Sequence, residues 1–156
     1  MKGRRNTKLV YVISILITLA VGGISALVNA GQMTNTGITQ PALTPPAWIF
    51  PIVWTVLFTL MGISAASVYL SDCPGKSDAL FIYTVQLTVN FLWTVFYFSF
   101  QALSLAFFWL IFLILLILLM IVRFERCSTG SGKLQIPYFI WCLFAAYLNF
   151  AAWMLN

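Results

Sequence analysis

The chain has 156 residues, of which 62% are hydrophobic and only 7% charged, against about 25% charged in an ordinary soluble domain. A water-soluble unit of this size cannot hide so much apolar surface, so lipid must cover much of it. The net charge of +5 therefore bears on orientation in a membrane and not on nucleic acid, which is not an expected partner.

The charged residues fall in three short clusters: Lys2, Arg4, Arg5 and Lys8; Asp72, Lys76 and Asp78; Arg123, Glu125, Arg126 and Lys133. Between and after them run the uncharged stretches 9–71, 79–122 and 134–156. A helix needs about 20 apolar residues to cross the hydrocarbon core, so these stretches hold two, two and one crossings. Every cluster then lies on one side of the membrane. The expected fold is all-α, an integral membrane bundle of five transmembrane helices forming a single domain over residues 1–156. Basic residues near span ends are retained in the cytoplasm, which places the N-terminus inside and the C-terminus outside.

Span one covers about residues 9–30. A cleaved leader ending at Val28-Asn29-Ala30 is the competing reading, but the apolar run is long for a leader's central region of about 7–15 residues. The outer loop 31–43 is polar and uncharged. Span two covers about 45–70; Thr44 reads as its N-cap with Pro45 at the first helical position, and Pro51 as a kink one turn later. The inner turn, SDCPGKSD, carries Cys73. Span three (about 79–100) and span four (about 103–122) are joined by a tight hairpin near Gln101 to Ser104. The inner loop 124–133 is rich in Gly and Ser and reads as flexible. Pro137 opens the ordered part of span five, about 135–155.

The chemistry these residues exclude is informative. Histidine is absent, which argues against imidazole-ligated haem, a zinc site or any His-dependent triad. Three scattered cysteines make no metal pattern; Cys73 and Cys127 fall in inner loops, where the cytosol keeps thiols reduced, and Cys142 lies within span five. No charged residue enters a span, which argues against ion-coupled transport, although a channel lined by carbonyls survives that test. The polar groups that do enter are Asn29, Gln86, Asn90, Asn149, hydroxyls and indole N–H groups. A pocket made from them suits a large, flat, mostly apolar ligand with a few polar edges.

Aromatic residues make up 17% of the chain. Most read as core filling and interfacial belts, with Trp48 and Trp153 as belt anchors. Asn90, Trp93 or Thr94, and Tyr97 share one face of span three, and Trp141, Phe144 or Ala145, and Leu148 share one face of span five. With Trp54 in span two, three helices offer aromatic walls with N–H donors. The small-residue pairs Gly22 with Ala26 and Gly62 with Ala66 read as close helix packing within the chain, with a dimer contact as the alternative.

The stretch PALTPPAWIFPIVWTVLF resembles the P-x-x-T-P-P-x-W…V-W signature of the translocator protein family, the TspO or tryptophan-rich sensory proteins, once called the peripheral benzodiazepine receptor. QLTVNFLWTVFYFSFQ in span three and IPYFIWCLFAAYLNFAAW in span five fit the same family in register, so the resemblance covers essentially the whole chain.

The resemblance implies a bacterial-type member, a bundle often found as a homodimer in the cell membrane. It implies a pocket among the helices for porphyrins such as protoporphyrin IX, covered by the loop between spans one and two. The porphyrin is a ligand; no cofactor is required. The ligand-binding residues it implies are Trp54, Asn90, Trp93, Tyr97, Trp141, Phe144, Ala145 and Leu148, with Pro45, Pro46 and Trp48 at the landing point of the lid. Some bacterial relatives promote light- and oxygen-dependent porphyrin breakdown, for which Trp54 and Trp141 match the implicated tryptophans and are the candidate catalytic residues. A transporter or channel for a small hydrophobic molecule is the alternative function.

Three positions depart from the family pattern. The cholesterol-recognition pattern of animal members is missing, with Phe150 at its Tyr position and Met154 at its basic one. Trp109 stands where many members carry an acidic residue, and Phe91 replaces a common Trp beside Asn90.

Overall fold

The computed structural model describes residues 6–33 and 37–156; Lys2, Arg4 and Arg5 of the first basic cluster, and part of the first outer loop, lie outside them. The described chain runs as α1 (Thr7–Met33), α2 (Ile49–Leu70), α3 (Lys76–Thr94), a π-helical turn (Val95–Ser99), α4 (Leu103–Cys127), a 3₁₀ turn (Lys133–Gln135) and α5 (Ile136–Leu155). Among the described residues five helices are long and apolar enough to cross a membrane.

Helix α1 shows why lipid is the solvent. Its buried residues are Thr18, Ser25 and Asn29, all polar, while Leu9, Val12, Ile13, Leu16, Ile17, Ile24, Leu27 and Val28 are exposed. This is the reverse of a water-soluble amphipathic helix. With only apolar chains outside, hydrogen bonds and close packing are what join helices. Ser14 donates to the Gly62 carbonyl at 2.7 Å and Tyr11 pairs with Ser67 at 2.9 Å, joining α1 to α2. Thr18 pairs with Tyr83 and Ser25 with Thr94, each at 2.7 Å, joining α1 to α3. Asn29 completes this seam, donating to Thr94 Oγ1 at 3.0 Å and accepting from Ser99 Oγ at 2.8 Å.

The two predicted small-residue contacts serve packing inside the chain. A Cβ on Gly62 would lie 2.6 Å from the Ile15 Cα, and one on Gly22 would lie 2.4 Å from the Phe58 ring. The absent side chain of Gly62 lets α2 meet the backbone of α1, and that of Gly22 makes room for the Phe58 ring.

Several local expectations are corrected. Helix α2 begins at Ile49 with no side-chain cap, so Thr44 is not its N-cap; the Thr44 Oγ1 is instead buried with no hydrogen-bond partner. Pro45 and Pro46 precede the helix, and a turn closed by a bond from the Ile49 N–H to the Pro46 carbonyl leads into it. Pro51 therefore falls in the first turn, where an N–H has no helical acceptor, and no helical bond is lost there. Helix α4 continues past Val122 to Cys127. The remaining turn is not a loose linker: the Glu125 carboxylate accepts from the Gly130 N–H at 3.0 and 3.1 Å and from the Gly132 N–H at 3.1 Å. The turn before α3 is likewise pinned, because Lys76 Nζ donates to the carbonyls of Tyr69 and Ser71 at the end of α2. Cys73 and Cys127, expected as separate reduced thiols, are joined as a disulfide. They meet because the turn before α3 and the end of α4 share one face.

The α3–α4 hairpin is as tight as expected. Gln101 takes the left-handed backbone conformation, φ 51°, which costs a non-glycine residue about 1 kcal/mol. The Ala102 N–H closes back onto the Phe96 carbonyl at 3.0 Å. Trp109 donates its indole N–H to the Val89 carbonyl at 2.9 Å and so ties α4 to α3. Trp153 is half-buried among Phe107, Phe108 and Phe150 and packs α5 on α4, whereas Trp48 is 65% exposed.

Candidate functional site

Backbones pair closely as α1 with α2, α3 with α4 and α4 with α5, while α2 approaches the α5 segment chiefly at the 133–135 turn. Farther out, α2, α3 and α5 meet through large side chains. Tyr138, 1% exposed, stands at the centre of this junction. Its hydroxyl donates to Gln86 Oε1 at 2.9 Å and accepts from Asn90 Nδ2 at 2.7 Å, so two side chains of α3 converge on one of α5. Trp54 of α2 meets the same ring edge-on, with centroids 6.2 Å apart. One turn along α5, Trp141 meets Phe50 of α2 edge-on at 5.9 Å and contacts Phe144 at 5.7 Å.

The wall from α3 continues outward. Trp93 lies against Tyr97, with centroids 5.6 Å apart, and donates its indole N–H to Asn149 Oδ1 of α5 at 3.2 Å. Asn149 in turn donates to the Leu103 carbonyl at the start of α4. Tyr97 falls in the π-helical turn; extra-wide turns of this kind recur at functional sites.

Of the sequence-predicted residues, the structure brings Trp54, Asn90 and Trp141 to one aromatic junction through Tyr138 and Phe50. Trp93 and Tyr97 form the adjoining wall. Phe144 and Ala145 are half-buried on α5, and Leu148 is buried beyond them. Pro45 is half-buried, and Pro46 and Trp48 are exposed at the approach to α2; they stand before its N-terminus, and Trp48 is among no described aromatic pair. Sequence reasoning misses Tyr138 and Phe50 as site residues, and it reaches Gln86 and Asn149 only as polar groups in the membrane. The signal for two of them is present: Gln86 lies four residues before Asn90, and Tyr138 three before Trp141, so each extends a predicted stripe.

The four buried or half-buried indoles at or near this junction divide in two. The N–H groups of Trp93 and Trp109 are bound by protein acceptors. Those of Trp54 and Trp141, the two nearest the junction, have no hydrogen-bond partner among the described residues; ring contacts and packing against the core hold them.

A separate cleft of about 350 Å³ opens at the end of the bundle that holds the α3–α4 hairpin, lined by Gly37, Ile38, the 101–104 hairpin, Trp153 and Asn156. It touches none of the sequence-predicted residues. Beside it the Asn156 side chain holds the loop between α1 and α2 by a matched pair of bonds, accepting from the Thr39 N–H at 2.9 Å and donating to the Thr39 carbonyl at 3.2 Å. The same amide donates to the Ala152 carbonyl at 2.7 Å, which anchors it to α5.

Residues 14–154 match the TspO/MBR family model. The chain is 32% identical over 145 residues to the tryptophan-rich protein TspO of Chlorobaculum tepidum, covering 90% of this chain and 91% of that one. It is 34% identical to protein CrtK of Rhodobacter capsulatus over 86% of this chain and 85% of that one. It is also 34% identical to the tryptophan-rich sensory protein of Cereibacter sphaeroides over 76% and 74% respectively. The chain belongs to the TspO/MBR family and is an integral membrane protein.

Proposed function

We propose that this member of the TspO/MBR family is a membrane receptor or sensor for porphyrins of the protoporphyrin IX kind and related flat, hydrophobic ligands. They bind where α2, α3 and α5 face one another. The observation that carries the reading is the pair of unspent indole N–H groups, Trp54 and Trp141, on opposite walls of one aromatic junction. A macrocycle lying there meets π-surface on several sides and two donors for its polar edge. The Gln86–Tyr138–Asn90 chain holds a third polar group, the Asn90 carboxamide, at the same place. The outer loop, tied to α5 by Asn156, is the lid over this end of the bundle.

The same arrangement supports light-dependent breakdown of the bound porphyrin. An excited porphyrin, molecular oxygen and the oxidisable indoles of Trp54 and Trp141 would share one water-poor space. In this reading the charged turns face the cytoplasm and the chain acts as a homodimer in a bacterial cell membrane.

The test is a titration of the purified, detergent-solubilised protein with protoporphyrin IX, followed by tryptophan quenching and porphyrin absorbance, first in the dark and then under light. Saturable quenching in the dark, weakened in Trp141→Phe, is expected. New absorbance bands under light, lost in the same variant, would extend binding to breakdown. A folded protein that shows no saturable binding would overturn the porphyrin reading.

A further inference from the structure

Cys73 and Cys127 are 54 residues apart in sequence, yet their Cα atoms stand 5.0 Å apart and their sulfurs are bonded. Cys73 lies in the turn before α3 and Cys127 is the last residue of α4. The bond therefore closes the open end of the α3–α4 hairpin, whose other end is the tight turn at 100–102. Lys76, Arg123, Arg126 and Lys133 lie on this same face, which the distribution of basic residues assigns to the cytoplasm. Disulfides in that compartment are characteristically transient and redox-sensing, because the thiol pool reduces them.

We propose that Cys73 and Cys127 form a reversible thiol–disulfide modification site on the cytoplasmic face, oxidised by low-molecular-weight disulfides and reduced by the corresponding thiols. Each turn has hydrogen bonds of its own besides the disulfide, one from Lys76 to the carbonyls that end α2, the other from the Gly130 and Gly132 amides to Glu125. Reduction therefore leaves the two sulfurs facing each other, and reclosure is intramolecular, with the high effective concentration that short tethers give. Both cysteines are half-buried and open to a small reagent, unlike Cys142, which is fully buried.

The chemistry balances as two exchanges. The thiolate of one cysteine attacks a small disulfide, forms a mixed disulfide and releases one small thiol. The thiolate of the second cysteine then attacks the protein sulfur, closes the Cys73–Cys127 bond and releases the second small thiol. Two electrons pass from the cysteine pair to the reagent, and the two cysteine protons leave with the released thiols. The consequence is mechanical: oxidation turns the helix pair that carries Asn90 and Trp93 into a closed loop, which is harder to open because its unfolded ensemble is restricted. The bond lies at the end of α3 away from Trp93 and Tyr97, so this site stands independently of the ligand.

Cells making the intact chain are quenched in acid, and their membranes are alkylated with N-ethylmaleimide under denaturing conditions and weighed by mass spectrometry. Samples are taken untreated, after brief diamide, which converts the small cellular thiols to disulfides, and after later dithiothreitol. The chain has three cysteines. The expected result is three alkyl groups, then one on Cys142 alone, then three again. In Cys73→Ser, diamide should instead leave a small-thiol adduct on Cys127. A pair already oxidised in untreated cells, or not recovered by dithiothreitol, is a permanent staple and overturns the proposal. A pair that keeps its thiols through diamide overturns it as well.

Discussion

Helix α3 has two working faces, and they are built differently. Toward α1 it presents Tyr83 and Thr94, whose short reaches end on Thr18, Ser25 and Asn29; every polar group named in that seam is met by another. Toward α5 it presents Gln86, Asn90 and Trp93, which span a wider gap through Tyr138 and Asn149. The first face is closed by matched hydrogen bonds, which hold helices together in lipid. The second is wide and aromatic, and two indole donors beside it remain unspent. The proposed site is thus a place where packing is made by large side chains that a ligand could share, next to a seam whose named polar groups are already matched.

Substitutions test that contrast by failing in different ways. The largest effect is expected for Gly62→Leu, whose side chain would enter the Ile15 backbone; the cost is about 3 kcal/mol or more, seen as loss of the folded protein from detergent extracts. Asn29→Leu removes the bonds to Thr94 and Ser99 and should cost about 2 kcal/mol. Its melting temperature should fall while porphyrin affinity in the surviving folded fraction stays near wild type. A large affinity loss without a stability loss would show that the seam belongs to the site.

The other face should respond in the opposite sense. Trp141→Phe and Asn90→Ala are expected to weaken porphyrin binding about tenfold, equivalent to about 1.4 kcal/mol, with helix content by circular dichroism unchanged. Unaltered affinity in both would move the site elsewhere. The smallest effect is expected for Asn156→Ala, which frees the loop between α1 and α2 from α5. Stopped-flow release of porphyrin should quicken by about threefold, on the scale of one exposed hydrogen bond; an unchanged rate would mean that the loop does not gate the pocket.

Much of the fold is legible in the sequence. The bilayer penalises charge so strongly that three clusters of charged residues divide the chain into its spans. Helical spacing then places Asn90, Trp93 and Tyr97 on one stripe and Trp141 and Phe144 on another. Local details are less legible. Thr44-Pro45-Pro46 carries the composition of a helix start, but a turn through Trp48 comes first, and the real first helical turn contains Pro51. The charges before Cys127 suggest a loop residue, yet α4 carries those charges out past the apolar run.

What the sequence determined by itself was therefore the solvent of each segment, the number of crossings and which residues share a helical face, since all three follow from local hydropathy and the helix period. Only the tertiary structure decided which residues meet. Asn90 finds Tyr138 across 48 residues, Cys73 finds Cys127 across 54 and Thr39 finds Asn156 across 117. The physical reason is that lipid favours no apolar face over another, so partner choice falls to a few hydrogen bonds and to the fit of particular side chains, which appear only once the helices are side by side.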